Sequence, residues 1–218
     1  MTDILILVGP SAVGKTTVMH RILDMSDRFM PLRSMTTRPE RFAGDSEYLH
    51  VSEEDFAAAV ARGELLEHMR YGSYSYGTPR AEMARAEAAG KCPLLILDLV
   101  GARALKRSDV GERVYTVYLY EALDVLERRL RLREGDAPTP EGLLRIERRV
   151  MANVRDYLSL SDYTGALDVL IDNRPDPHTV AEGILRALAV RYTDPPAERE
   201  AQLSALRAEA QRKQNYRA

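Results

Sequence analysis

The sequence has little of several features that mark particular classes of protein. Its 218 residues include one cysteine, Cys92, so the chain has no internal disulfide, and the apolar run around Cys92 predicts a buried thiol rather than a reactive one. The four histidines are scattered, which indicates no transition-metal site. No apolar stretch approaches the roughly 18 residues of a membrane span. We therefore expect a cytoplasmic protein with an ordinary core and no membrane partner.

An excess of positive charge is also missing. The chain carries 31 Lys and Arg against 33 Asp and Glu, which gives a formal charge of −2. General binding of nucleic acid usually requires a clear basic excess over a whole domain. We therefore expect no nucleic-acid partner and an anion site formed by a few placed cations. The expected oligomeric state is a monomer or homodimer.

Short apolar runs alternate with helical patterns along the chain. The continuous run Ile4–Val8 is typical of a strand buried on both faces of a parallel sheet, and similar runs occur at Leu94–Leu97, Val114–Leu119 and Val169–Ile171. Helical patterns cover Thr16–Met25, Pro79–Ala89, Leu123–Arg133, Glu141–Leu158 and His178–Val190. This alternation predicts an α/β fold with a parallel sheet flanked by helices.

The segment 34–78 has a different composition, rich in Arg, Tyr, Ser and Gly, and we predict a small inserted mixed α/β subdomain there. Within it, Ser52 is placed to cap a short helix that ends near Gly63. At its end, Thr78 and Pro79 predict the N-cap and the first position of the next helix.

Two later segments interrupt the pattern. Glu134–Pro140 contains two prolines and predicts a loop between two helices. Residues 193–218 are rich in Ala, Glu, Arg, Gln and Lys, with only Leu203 and Leu206 as a narrow apolar stripe. We expect this charged tail to be helical or disordered: a helix would face solvent or dock on the body or on a partner, and self-association is a further hypothesis.

The strongest motif is Gly9–Thr16, which matches G-x-x-x-x-G-K-[ST] between a buried strand and a helix. In such a phosphate loop, glycines allow close approach of the backbone, Lys15 supplies a cation and the Thr16 hydroxyl can ligate Mg²⁺. Asp98, at the end of an apolar strand, suits a magnesium role, directly or through water, or the capping of a helix before Gly101. The predicted ATP-binding residues of this loop are Gly9, Pro10, Ser11, Ala12, Val13, Gly14, Lys15, Thr16 and Thr17.

A phosphate loop does not identify the acceptor of a phosphoryl group, which the inserted region must supply. Arg38 and Arg41 lie three positions apart in a predicted loop, and tyrosines follow them. Paired guanidinium groups and phenolic hydroxyls are suited to holding a second phosphate dianion.

In their order and spacing, these segments resemble the guanylate kinase family. The resemblance covers most of residues 3–192. Its matching segments are Gly9–Thr16, Thr36–Arg41, Tyr48, Gly63–Glu67, Tyr76–Thr78, Leu97–Asp98, Arg133, Ile146–Arg149 and Asp172–Asn173. It implies a P-loop NTPase domain over 1–192, with a core of 1–33 and 79–192, an acceptor-binding insert at 34–78 and a helical lid at about 133–148.

The resemblance also implies roles for individual residues in transfer of the ATP γ-phosphoryl group to GMP or dGMP, with Mg²⁺ as cofactor. The implied acceptor-binding residues are Arg38, Arg41, Tyr48 and Tyr76 for the phosphate, Ser34, Glu67 and Thr78 for the base, and Asp98. The implied catalytic cations are Lys15, Arg41, Arg133 and Arg149, and Asn173 is implied as an adenine contact.

Departures from the family pattern, Val100 among them, leave other functions open. One is a ribose 1,5-bisphosphate phosphokinase, and another is a kinase of an unusual purine monophosphate or other phosphorylated small molecule. A third is a non-catalytic guanylate-kinase-like module that binds a phosphorylated partner. Lys15, Arg38 and Glu67 favour GMP phosphorylation over these alternatives.

Overall fold

The computed structural model describes residues 3–40, 48–135 and 138–217, which form two compact units. One unit lies within Met1–Ile6 and Leu23–Tyr115, and the other within Leu7–Ile22 and Thr116–Ala218. Among the described helices, none combines the length and the apolar character needed to cross a membrane.

The described residues form nine strands in two sheets. The strands are β1 (Ile4–Val8), β2 (Phe29–Pro31), β3 (Ser34–Thr36), β4 (Tyr48–His50), β5 (Leu65–Tyr71), β6 (Tyr74–Pro79), β7 (Cys92–Ile96), β8 (Val114–Tyr120) and β9 (Val169–Asp172). A parallel five-stranded sheet has the order β2-β7-β1-β8-β9, and a mixed four-stranded sheet has the order β4-β3-β6-β5. The predicted α/β class with a parallel sheet is therefore confirmed, and every residue of β1 is buried.

Eight α-helices accompany these strands in the described part of the chain. They are α1 (Lys15–Met25), α2 (Glu53–Ala61), α3 (Arg80–Ala88), α4 (Leu99–Lys106), α5 (Leu123–Glu134), α6 (Pro140–Ser159), α7 (Pro177–Ala189) and α8 (Pro196–Arg217). The predicted start of α3 is wrong, because Thr78 and Pro79 belong to β6 and Pro79 is the N-cap. Pairing of β6 with β5 holds these two residues in extended geometry.

In the first unit, β3 pairs in parallel with β4 and antiparallel with β6, which in turn pairs antiparallel with β5. Helix α2 begins after Ser52, whose hydroxyl accepts a hydrogen bond from Asp55 N at 3.0 Å, as the sequence predicts. Phe56 and Ala59 of this helix pack with Leu65 in a small apolar cluster. Burial of this face fixes the short strands that carry the predicted acceptor residues.

In the second unit, the charged tail is a helix that packs against its neighbours. Helix α8 packs along α6 and also touches α5 and a 3₁₀ segment, Leu160–Ala166. Leu206 and Ala210 are buried. Among the expected alternatives the structure has the docked helix, because small alanine side chains widen the leucine stripe into a packing face.

Candidate active site

The phosphate loop adopts the conformation that its glycines permit. Gly9 and Gly14 have φ angles of 149° and 110°, and a side chain at Gly9 would collide with the Leu119 carbonyl oxygen. Lys15 begins α1, so the amides of the first helical turn face the loop. Its ammonium group donates to Gly9 O at 2.6 Å and Pro10 O at 3.0 Å. The loop thus presents a cation and a helix N-terminus together, a combination suited to phosphate.

Three side chains from other elements hold this loop. Asn153 of α6 accepts from Ser11 N at 2.7 Å and donates to Ser11 O at 3.1 Å. Arg129 of α5 donates to Val13 O at 3.1 Å. Asn173 also donates to Val13 O, at 2.5 Å. The main-chain groups of the loop are therefore fixed from outside it.

Sequence reasoning missed Asn153 and Arg129 and gave Asn173 another role. One signal for Asn153 was available: Ile146, Val150, Val154 and Tyr157 form the buried stripe of α6, and Asn153 lies beside it. A buried amide must find hydrogen-bond partners, and here these are the two main-chain groups of Ser11. The adenine contact implied for Asn173 stays a prediction. Thr16 is half-buried and Thr17 is exposed in the first turn of α1.

The predicted phosphate-binding residues of the acceptor side cluster on the mixed sheet. Arg38 is 8% exposed, and its guanidinium carbon lies 4.9 Å from the centre of the Tyr48 ring. The rings of Tyr48 and Tyr76 are 6.2 Å apart in an edge-to-face arrangement. His50 contacts Arg38 O through Nδ1 at 2.7 Å. Arg41 lies outside the described residues, and Ser34 is the half-buried first residue of β3.

Glu67 and Thr78 occupy paired positions on β5 and β6. The Thr78 hydroxyl donates to Glu67 Oε1 at 2.7 Å. Glu67 Oε2 is buried and has no hydrogen-bond partner among the described residues. Burial raises the pKa of Glu67 to about 7; the Thr78 hydrogen bond opposes the rise, and the charge of Asp98 adds to it. This carboxylate is held at one oxygen and can accept hydrogen bonds at the other.

Asp98 lies close to Glu67. It is the N-cap of α4 and accepts from Gly101 N at 2.8 Å, as the helix-cap interpretation predicts. A side-chain carbon added to Gly101 would lie 3.4 Å from both Asp98 Oδ1 and Glu67 Oε2. Gly101 therefore leaves open a space that two carboxylates border, which favours an acceptor-side role for Asp98.

The two predicted lid arginines lie on the helices that flank the proline-containing loop. Arg133 is exposed in the last turn of α5, and Arg149 is exposed on α6. An ion pair between Glu134 and Arg145 joins the end of α5 to the start of α6. Thr139 caps α6 by accepting from Gly142 N at 3.1 Å. One exposed guanidinium group thus lies at the end of α5, and the other lies midway along α6.

A metal site formed by protein ligands alone is absent from residues 3–40, 48–135 and 138–217. No group of three or more His, Cys, Asp or Glu side chains in these residues could hold an ion.

The chain is similar to known guanylate kinases in sequence and in fold. The sequence model described as guanylate kinase matches residues 1–172. Guanylate kinase of Thermosynechococcus vestitus is 36% identical over 138 residues, 62% of this chain and 71% of that protein. Guanylate kinase of Sus scrofa is 33% identical over 171 residues, 77% of this chain and 83% of that protein.

The fold is also similar to that of a solved guanylate kinase. The crystal structure of guanylate kinase from Anaplasma phagocytophilum superposes with a TM-score of 0.65 at 22% identity, covering 90% of this chain and 89% of that one. Together with the match of the family model over most of the chain, the identities above show that the chain belongs to the guanylate kinase family.

Proposed function

We propose that the chain is an ATP-dependent kinase that transfers the γ-phosphoryl group of ATP to GMP or dGMP, giving ADP and GDP or dGDP. Membership of the guanylate kinase family supports the reaction. The observation that carries the choice of acceptor is Glu67, a buried carboxylate with Oε1 bonded to Thr78 and Oε2 without a partner among the described residues.

The chemistry of Glu67 favours guanine over adenine. An ionised carboxylate only accepts hydrogen bonds, which suits the N1–H and N2–H₂ groups of guanine. Adenine would present its N1 lone pair to the same oxygens and leave buried groups unpaired. Because burial holds the pKa of Glu67 at about 7, a ligand that donates hydrogen bonds to the carboxylate also favours its ionised form.

The donor site supplies positive charge without a general base. The acceptor oxygen belongs to a phosphate that is already largely dianionic near neutral pH, so catalysis depends on positioning and charge neutralisation. Lys15 and the amides of α1 bind the donor phosphates. Arg133 and Arg149 neutralise the equatorial oxygens of the transferred group, and Arg38, Arg41, Tyr48 and Tyr76 hold the acceptor phosphate.

Magnesium fits this donor site. When bound with ATP, it would supply neutralisation of the phosphate charge. The half-buried Thr16 hydroxyl in the first turn of α1 is a hard oxygen ligand of the kind that Mg²⁺ prefers. The carboxylate of Asp98 would be the second group to hold the ion, through a water molecule.

The acceptor distinguishes this function from its alternatives. A coupled assay of ADP release with GMP, dGMP, AMP, CMP, UMP and ribose 1,5-bisphosphate tests it directly, and Lys15→Ala provides the background rate. We expect turnover with GMP and dGMP well above that with the other acceptors. Turnover of ribose 1,5-bisphosphate without turnover of GMP would establish the sugar-phosphate kinase instead. ATP binding without turnover of any acceptor would favour a binding module.

A further inference from the structure

The C-terminal helix lies beyond the part of the chain that the family model matches, which ends at residue 172. It is nevertheless joined to α5 by specific polar contacts. Glu209 accepts a hydrogen bond from Leu123 N at 2.7 Å. Lys213 forms ion pairs with Asp124 and with Glu127, the latter at 2.8 Å. These contacts fix the first turn of α5 from outside the catalytic domain that the sequence suggests.

Glu209 acts as the missing cap of α5. The residue at the N-cap position is Ala122, whose side chain makes no capping hydrogen bond. An uncapped helix leaves amide donors in its first turn that need acceptors. The Glu209 carboxylate supplies one, and its negative charge suits the positive end of the helix. The start of α5 therefore depends on a residue that lies 86 positions later in the sequence.

The same end of α5 is linked to the phosphate loop through two more residues. Glu121, which is 4% exposed, makes an ion pair with Arg129 at 3.3 Å. Its main chain is fixed by Tyr157, which donates to Glu121 O at 2.6 Å and accepts from Glu121 N at 3.1 Å. Burial raises the pKa of Tyr157, so its hydroxyl remains a donor. Arg129 then donates to Val13 O and, at 3.4 Å, to Ala12 O in the loop.

We propose that Glu209 is a positioning residue of the ATP site: by capping α5 it fixes Glu121 and Arg129, and through Arg129 it holds the phosphate loop. Ala12 has a φ of 66°, a conformation that a residue with a side chain adopts at a cost, so the loop needs such restraint. The inference rests on the proposed function only for the identity of ATP as ligand. The C-terminal helix then supports ATP binding through Glu209.

The test measures ATP affinity by calorimetry with Mg²⁺ present, on the full-length chain and without an acceptor. Glu209→Ala is expected to weaken ATP binding about fivefold, the order of effect that the loss of one capping hydrogen bond produces. Glu209→Gln keeps an accepting oxygen and is expected to stay within about twofold of the unmodified chain. Glu200→Ala removes an exposed carboxylate from the same helix and is the matched control, with affinity unchanged.

A double-mutant cycle identifies the route of the effect. If Glu209 acts through Arg129, then adding Glu209→Ala to Arg129→Ala weakens ATP binding no further than Arg129→Ala alone. The proposal would be overturned if the decreases in ATP affinity of the two single variants multiplied in the double variant. It would also be overturned if Glu209→Ala folded and bound ATP with unchanged affinity. Loss of affinity in Glu209→Gln equal to that in Glu209→Ala would also overturn it, because capping would then not be the cause.

Two further measurements keep the outcomes separable. Circular dichroism establishes whether Glu209→Ala folds. If it does not, Glu209→Asp, whose side chain is one methylene shorter, is measured in its place, and its ATP affinity is judged in the same way. Because ATP binding needs no acceptor, failure of the unmodified chain to phosphorylate GMP would contradict the proposed function alone. The ATP affinities of the variants would still decide the role of Glu209.

Discussion

The phosphate loop is held by hydrogen bonds that its neighbours already make, whereas Glu67 of the mixed sheet has a carboxylate oxygen without a partner among the described residues. Asn153, Arg129 and Asn173 fix the main chain of the loop. Glu67, in contrast, is buried, its Oε2 has no hydrogen-bond partner in the described part of the chain, and burial raises its pKa to about 7. The phosphate loop and the surroundings of Glu67 thus differ in how far their polar groups are satisfied before a ligand binds.

This difference matches the ligand groups that we propose for the two regions, a triphosphate at the loop and a base at Glu67. A triphosphate is recognised by charge and shape, so a loop that is fixed in advance binds it with little reorganisation. A base is recognised by the pattern of its donors and acceptors, and an unsatisfied buried carboxylate disfavours every ligand that cannot donate to it. We infer that the donor loop contributes rate and the Glu67 environment contributes selectivity.

The largest expected effect comes from removing the cation of the donor loop. Lys15→Ala is expected to lower kcat about a thousandfold with every acceptor, because positive charge at the transferring phosphates is lost. Steady-state kinetics with GMP and dGMP measures this. Lys91→Ala, which removes a lysine after α3, is the matched control with unchanged kcat. A decrease of less than tenfold for Lys15→Ala would show that the loop does not provide the rate.

Glu67→Gln tests whether the carboxylate of Glu67 discriminates GMP from AMP. It replaces a group that only accepts hydrogen bonds with one that also donates, so kcat/KM for GMP is expected to fall by roughly two to three orders of magnitude while that for AMP changes little. Glu64→Gln is the control, since Glu64 is exposed and paired with Arg62. Unchanged discrimination of GMP from AMP would remove Glu67 from the base-reading role.

The buried carboxylate also predicts a dependence of stability on pH. The folded protein keeps the Glu67 proton up to a pKa of about 7, whereas the unfolded chain loses it near 4.5. The stability contributed by the protonated group is therefore complete below pH 4.5 and is lost as pH rises through 7, by about 3 kcal/mol.

Urea denaturation at pH 5 and pH 8 measures this contribution. Glu67→Gln resembles the protonated form, so its stability relative to the unmodified chain is expected to increase from pH 5 to pH 8. Glu64→Gln should show no such increase, because its exposed ion pair contributes little. An equal difference between Glu67→Gln and the unmodified chain at both pH values would contradict the raised pKa of Glu67.

The sequence predicts those parts of the site that are contiguous and misses those that depend on distant contacts. Gly9–Thr16 carries its whole chemistry in eight neighbouring residues, and its preceding strand is recognisable from an unbroken apolar run. The contact between Ser11 and Asn153 joins residues 142 positions apart, and no local pattern specifies it. The start of α3 was misplaced for the same reason, because long-range pairing of β6 overrides the local preference of Thr78 and Pro79.

The docked tail illustrates a second limit of sequence reasoning. Leu203 and Leu206 alone suggest a narrow stripe, yet burial of Ala210 and the contact of Glu209 with Leu123 depend on where α5 and α6 lie. The residue type of a polar side chain does not reveal whether it contacts a neighbouring helix or faces water. Only the packed structure separates these two cases.

Asn153 provides the smallest effect and the sharpest test of a loop that is fixed in advance. Asn153→Ala removes both hydrogen bonds to Ser11 while leaving Lys15 in place, so KM for ATP is expected to rise about tenfold, and kcat and KM for GMP should change less. Asn215→Ala on the exposed face of α8 is the matched control. If Asn153→Ala lowered melting temperature but left KM for ATP unchanged, the amide would support only the core, and the loop would reach its bound conformation without it.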